Sequence, residues 1–247
     1  MRTFLKHNGL SILFLLLFVA ALLLQAFAGH ADFNEDQLRH DNPTMSLGRY
    51  VMSSQFGVAV LENWQSEYLQ FTLFILATVW LLQRGSPESK QLDKAGRESD
   101  RDQRVGSHAR ADSPRWAKAA DVRRTLFENS LLIVMAAIWL GSWFAQSITG
   151  VNEYNADRLD HHQLPVSWAD YLGRPDFWEK TLQNWQSEFL AVGTMAVFTI
   201  YLRQRGSPES KPVGTPHDTT AATGYAHVTS PKASARNERL AWQAKYG

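Results

Sequence analysis

The sequence predicts an all-α membrane protein whose four transmembrane helices form two hairpin repeats inserted in parallel orientation. Three observations carry this expectation: a duplicated segment, four runs of membrane-crossing length, and a separation of basic from acidic residues along the chain. The duplicated segment reads NWQSEYLQFTLFILATVWLLQRGSPESK from Asn63 to Lys90 and NWQSEFLAVGTMAVFTIYLRQRGSPESK from Asn184 to Lys211. The two copies are displaced by 121 positions without a gap and are identical at 16 of 28 residues. The same displacement carries Asn8 onto Asn129, Gln25 onto Gln146 and Gly29 onto Gly150, so each half also has one apolar run ahead of its copy.

The first run, Leu10 to Ala28, is 19 residues long and polar only at Ser11 and Gln25. As a helix it is about 28 Å long, close to the thickness of bilayer hydrocarbon. Arg2 and Lys6 before it and Ala26-Phe27-Ala28 at its end also have the pattern of a cleaved signal peptide. Its partner in the second half, Leu131 to Thr149, lies mid-chain where no signal peptide can sit, which favours a retained helix. The second run is uninterrupted only from Phe71 to Leu82, but Trp64 and Tyr68 suit one membrane interface and Trp80 and Arg84 the other. Trp64 to Arg84 then spans about 30 Å. Gly85 is expected at the helix C′ position, with Pro87 preventing continuation. Trp185, Phe189, Tyr201, Arg205, Gly206 and Pro208 repeat this arrangement in the fourth helix, and Ala137, Gly141 and Ala145 give the third a ridge of small residues for helix packing.

Charge sets the orientation. The segments Gly29 to Glu67 and Gly150 to Glu188 contain only Arg39 and Arg49, and Arg158, Arg174 and Lys180, each set outnumbered by acids. Gln83 to Glu128 carries 11 Lys or Arg against 8 acids. Basic segments stay in the cytoplasm, so both termini and the central segment are expected inside and both acidic loops outside a plasma (inner) membrane. The halves are then related by a pseudo-two-fold axis along the membrane normal. The chain divides into a first hairpin repeat (1–90), a charged cytoplasmic linker (91–121), a second hairpin repeat (122–211) and a disordered cytoplasmic tail (212–247) with a short helix near Arg239 to Lys245. The linker is poor in large apolar residues and is expected to be solvated, although SPRWAKAADVRR from Ser113 suits a short interfacial helix.

Residues that recur at matched positions supply the candidate sites. Gln25, Asn63 and Glu67, with Gln146, Asn184 and Glu188, form a polar level at the outer ends of the spans, where a carboxylate needs water, a cation or a hydrogen-bond donor. Asp32, Asp36 and His40 align with Glu153, Asp157 and His161, and the spacing of four places each set on one helix face. With His162 these are metal-ligand candidates, weighed against an exposed helix face with Asp–His pairs; no metal and no cofactor are expected. The inner motif Arg84 to Lys90 and its copy Arg205 to Lys211 could meet anionic headgroups or a cytoplasmic partner. The chain has no cysteine, which excludes disulfides and thiolate chemistry. It also has no Walker A loop, GxGxxG, GxSxG or HExxH pattern.

The elements FLKHNGLSI, ADFNEDQLRH, ENWQSEYLQ and QRGSPESK together resemble an uncharacterised family of small bacterial four-helix integral-membrane proteins, classed as a domain of unknown function. The resemblance covers both halves and leaves out the linker middle and the tail. It implies a bacterial inner-membrane location and brings no activity, cofactor or catalytic residue. The expected function is a non-enzymatic structural or interaction role in the bacterial envelope, with the lipid bilayer as surroundings, a protein partner or second copy as contact, and no nucleic acid. The alternative is a small channel or transporter with its path at the seam between the repeats and its outer mouth at Glu67 and Glu188. A metal-dependent enzyme built on the outer histidines is the third reading.

Overall fold

The computed structural model describes residues 2–221, and every regular element among them is helical. Four long helices, α1 (Arg2–Arg39), α3 (Ser54–Trp80), α6 (Ser130–Asp160) and α8 (Pro175–Tyr201), alternate with short ones: α2 (Leu47–Val51), α4 (Asp100–Gln103), α5 (Val122–Glu128) and α7 (Trp168–Tyr171). Thr3–Arg39 and Ser130–Asp160 are long and apolar enough to cross a membrane. Composition rather than length keeps α3 and α8 from the same standard, since each is 27 residues long but carries the polar NWQSE segment. The structure therefore supplies two such helices where four were expected.

The outer loops do not begin at Gly29 and Gly150. Both helices run straight through those glycines, and α1 extends over ADFNEDQLR with an i,i+4 pair between Arg39 and Glu35 (2.5 Å) on its surface. They stop without glycine. Asp41 (φ 56°) and His162 (φ 56°) take the left-handed conformation. The amide of Asn42 then donates to the Gln37 carbonyl (2.8 Å), and that of Gln163 to the Arg158 carbonyl (2.7 Å). This bonding closes the last turn in the Schellman manner.

The exits also differ from expectation. Helix α3 starts ten residues ahead of Trp64 and ends at Trp80, so Gly85 (φ 84°) sits in a later turn and not at the helix C′ position. The Val79 carbonyl is satisfied by the Gly96 amide (2.7 Å), and a side chain at Gly96 would meet the Trp80 ring at 3.0 Å. The QRGSPESK motif is a self-bonded loop in both copies. The Gln83 amide donates to Ser89 Oγ (2.9 Å) and the Glu88 amide to Ser86 Oγ (3.2 Å). Gln204 with Ser210 (2.9 Å) and Glu209 with Ser207 (3.2 Å) repeat both bonds.

The segment expected to be a solvated linker folds through its charges, with only Val105 and Ala117 of its apolar residues buried. Ser99 caps α4 and Asp121 caps α5. Ion pairs join Lys90 to Glu98 (2.6 Å), Arg124 to Asp100 (3.3 Å) and Arg124 to Glu128 (3.1 Å). The interfacial helix expected from Ser113 is a short 3₁₀ turn, Arg115–Lys118, followed by α5. Residues 212–221 of the expected disordered tail fold back over Lys211, and the expected helix near Arg239 lies outside the described residues.

The chain separates into two compact units, Met1–Leu69 with Val134–Gln186, and Gln70–Ile133 with Ser187–Gly247. The first holds two apolar clusters, Ala26, Tyr50 and Phe56, and Val151, Tyr171 and Phe177.

Candidate functional site

In the first unit several of the most buried positions of the long helices are polar, alongside apolar ones such as Val58 and Leu69. Gln65 and Ser66 of α3, Ser142, Gln146 and Ser147 of α6, and Thr181 of α8 are all buried. Polar groups in such places need partners, and tryptophans supply several of them. Trp185 Nε1 donates to Gln65 Oε1 (2.7 Å), Trp168 Nε1 to Ser147 Oγ (2.9 Å) and Trp143 Nε1 to Thr181 Oγ1 (3.4 Å). The Trp143 ring lies 5.6–6.2 Å from those of Trp139, Phe177, Trp178 and Trp185. Gln146 Oε1 and Trp139 Nε1 are buried without a hydrogen-bond partner.

Beside this seam lies a charged cluster drawn from three helices. Lys180 Nζ of α8 meets Glu153 Oε2 of α6 at 2.9 Å and Asp176 Oδ2 at 3.5 Å. Tyr171 donates its hydroxyl to Asp176 Oδ2 (2.9 Å). Burial raises the pKa of the Glu62 carboxyl; Lys180 opposes this, and Glu153 and Asp176 add to it. Burial also pulls the Lys180 ammonium down, but the Glu153 hydrogen bond and the three surrounding carboxylates outweigh it, so its pKa stands above the ordinary lysine value. Burial, followed by the Asp176 carboxylate, drives the Tyr171 phenol up and keeps it a donor. Asp176 is in the first turn of α8, where a negative charge complements the helix dipole. Three carboxylates thus share one ammonium.

Tyr171 reaches this position because Gly150 lets it. A Cβ at Gly150 would stand 2.6 Å from the Tyr171 hydroxyl, and a Cβ at Gly29 would collide with the hydroxyl of Tyr50, the matched residue. Matched asparagines hold the returning chain. Asn34 Oδ1 accepts from the Met45 amide (2.8 Å) and its Nδ2 donates to the Met45 carbonyl (3.0 Å). Asn155 does the same to Val166 at 2.8 and 2.9 Å. None of Asn34, Asn155, Tyr50, Tyr171 or Glu62 stands out in the sequence as a site, although the first four recur at the same displacement of 121.

The residues of the polar level expected at the outer interface differ in their surroundings. Gln25 Nε2 donates to the Ala59 carbonyl (3.5 Å) and remains exposed, whereas its match Gln146 is buried. Asn63 and Asn184 each bond back one turn, to the Ala59 (2.7 Å) and Lys180 (2.9 Å) carbonyls. Glu67 is exposed and Glu188 half-buried. The metal candidates lie on exposed surface. His40 Nδ1 faces the Asp36 carbonyl oxygen (2.9 Å) and Asp36 Oδ1 (3.5 Å), and His161 Nδ1 faces the same atoms of Asp157 at the same distances. His162 serves as the helix stop. Among the described residues no group of three or more His, Asp or Glu is placed to hold a metal ion.

In the second unit the paired motifs end in lysines with different surroundings. Lys90 Nζ donates to the Gly96 carbonyl (2.8 Å) and pairs with Glu98. Lys211 is 1% exposed and donates to backbone carbonyls alone, those of Gly85 (2.6 Å), His217 (2.8 Å), Thr219 (3.3 Å) and Pro216 (3.4 Å).

Comparison with curated proteins and with solved structures found no match to this chain. A family model described as a domain of unknown function, DUF6766, matches residues 1–222, and the chain belongs to that family.

Proposed function

We propose that the chain is a four-span integral membrane protein with a non-enzymatic structural or interaction role in the bacterial envelope. Both termini and the central segment lie in the cytoplasm, and the ends of α1 and α6 project outside. One observation carries the reading: the long helices expose many large apolar side chains while several of their polar ones are fully buried. Leu10 (72%), Leu24 (68%) and Leu190 (69%) are exposed, whereas Gln65 (0%), Gln146 (2%) and Thr181 (0%) are buried. Water would reject that arrangement. Hydrocarbon favours it, because lipid tails solvate leucine while small and amide side chains hold helices together. This supports α3 and α8 as spans despite their polar segments, since Gln65 and Ser66 of the first segment are buried and Trp185 of the second donates to Gln65.

The absence of cysteine makes the test direct. Single cysteines at Asp36, Ser107 and Asp160, all exposed, are treated on intact cells with a membrane-impermeant maleimide. Asp36→Cys and Asp160→Cys are expected to label, and Ser107→Cys only after lysis. Labelling of Ser107→Cys in intact cells would overturn the topology.

Gln146 Oε1 and Trp139 Nε1, buried without a hydrogen-bond partner along the same helix that carries Glu153, favour a second reading, a small cation path along the seam with its mouth at Glu62, Glu153 and Asp176 in place of Glu67 and Glu188. Liposomes containing the protein would then pass potassium faster than empty ones, and Glu62→Gln with Glu153→Gln would abolish the difference. Equal fluxes from loaded and empty liposomes would eliminate this reading.

A further inference from the structure

The second unit contains a cavity of about 1120 Å³ that neither candidate site uses. One wall is apolar, formed by Leu76, Val79 and Trp80 at the end of α3 and by Leu131 and Leu132 at the start of α6. The other wall is the folded linker, which presents five bases and four acids. Three of those bases are committed: Lys90 to Glu98, Arg97 to Glu128 (3.9 Å), and Arg124 to Asp100 and Glu128. Arg104 and Arg110 are exposed and have no ion pair among the described residues; Asp112 is the one lining acid in the same position.

We propose that this groove binds an anionic glycerophospholipid, with its phosphate at Arg104 and Arg110 and its acyl chains along the helix ends beside Trp80. The inference rests on the four-span reading, which puts this groove at the inner membrane boundary. A guanidinium fork matches phosphate geometry. The volume exceeds what an isolated phosphate needs and suits a headgroup with the first part of its chains. The apolar wall is what separates a lipid from a soluble anion as occupant, and the excess of basic over acidic residues is what selects an anionic lipid over a zwitterionic one.

The test uses the full chain purified in detergent and tryptophan quenching by brominated lipids. Brominated phosphatidylglycerol is expected to quench more than brominated phosphatidylcholine at the same mole fraction. That excess is expected to vanish in Trp80→Phe and to need about thirty-fold more lipid in Arg104→Gln/Arg110→Gln, from about 1 kcal/mol per surface base. Both arginines are exposed, so the double variant is expected to keep the helical circular dichroism of the parent. Equal quenching by the two lipids, an excess unchanged by the arginine substitutions, or reversal of the excess by inorganic phosphate would each overturn the proposal. Alkaline carbonate extraction of membranes is run alongside. Release of the protein there means that the membrane reading itself has failed, whereas retention without selective quenching removes the groove alone.

Discussion

The two segments that follow α1 and α6 can be laid over each other residue by residue, and they agree where the chain must fold back and differ where it carries charge. Gly29 with Tyr50 and Asn34 with Met45 in the first copy correspond to Gly150 with Tyr171 and Asn155 with Val166 in the second. Around that common frame, the first copy places His30 Nε2 on the Met45 carbonyl oxygen (2.7 Å), where the second has Val151. The second copy gathers Glu153, Asp176 and Lys180, where the first has Asp32, Gln55 and Ala59. The shared contacts hold the returning chain against the helix in both copies. The unshared ones give the molecule a front and a back.

Substitution can break the shared frame first. Gly150→Ala forces a methyl group onto the Tyr171 hydroxyl and is expected to cost about 3 kcal/mol, as overpacking does. Gly29→Ala is expected to match it, and Tyr171→Phe, which removes the offending oxygen, is expected to recover part of the Gly150→Ala loss in a double-mutant cycle. Thermal unfolding in detergent measures all three. A Gly150→Ala protein as stable as the parent would mean that the frame is not tightly packed.

Next in size are the asparagine clamps. Asn155→Ala strips two hydrogen bonds from Val166 and is expected to cost about 2 kcal/mol. Asn34→Ala is expected to cost less, because His30 still meets the Met45 carbonyl. Equal losses would assign His30 no share in the clamp. Hydrogen exchange at the Met45 and Val166 amides reports each clamp directly.

The charged cluster should show the difference between copies through pH. Lys180→Met leaves three carboxylates without their ammonium and is expected to cost about 1 kcal/mol, below the value for a fully buried pair because the cluster is partly solvated. The folded-state pKa of Lys180 is raised, so its contribution is complete below the ordinary 10.5 and fades as pH climbs through the folded value. The gap between parent and variant should therefore close only in strong alkali. Glu62 has the smallest expected effect and the opposite practical sign. Its pKa is raised by burial, so its ionised form is a cost at neutral pH that disappears on acidification toward the ordinary 4.5. Glu62→Gln is expected to be slightly more stable than the parent at neutral pH, with the advantage gone in acid. No pH dependence in that difference would mean that Glu62 is well solvated.

The sequence made the duplication, the helical class and the two strongest apolar runs legible because each is written in neighbouring residues. The helix ends were less legible. Asp41 and His162 adopt a conformation that usually marks glycine, while the conspicuous Gly29 and Gly150 serve close tyrosine contacts inside the helices. A glycine gives the same letter for a turn and for a contact, and only the partner across space tells them apart. The charged cluster was hidden for a related reason: Glu62, Glu153, Asp176 and Lys180 come from distant places in the chain, and only Lys180 and Asp176 are one turn apart. The folded linker was hidden by its lack of apolar residues, since reciprocal ion pairs leave no periodic trace.

Lys211 carries a consequence for how the chain sits in a bilayer. Its twin Lys90 can be silenced by Glu98, whereas Lys211 is gripped by peptide oxygens and meets no carboxylate at ion-pair distance among the described residues. An amine held in that way cannot swing off along a flexible stem. In a four-span protein it would act as a rivet of fixed depth on the cytosolic face, making the second hairpin harder to turn over than the first.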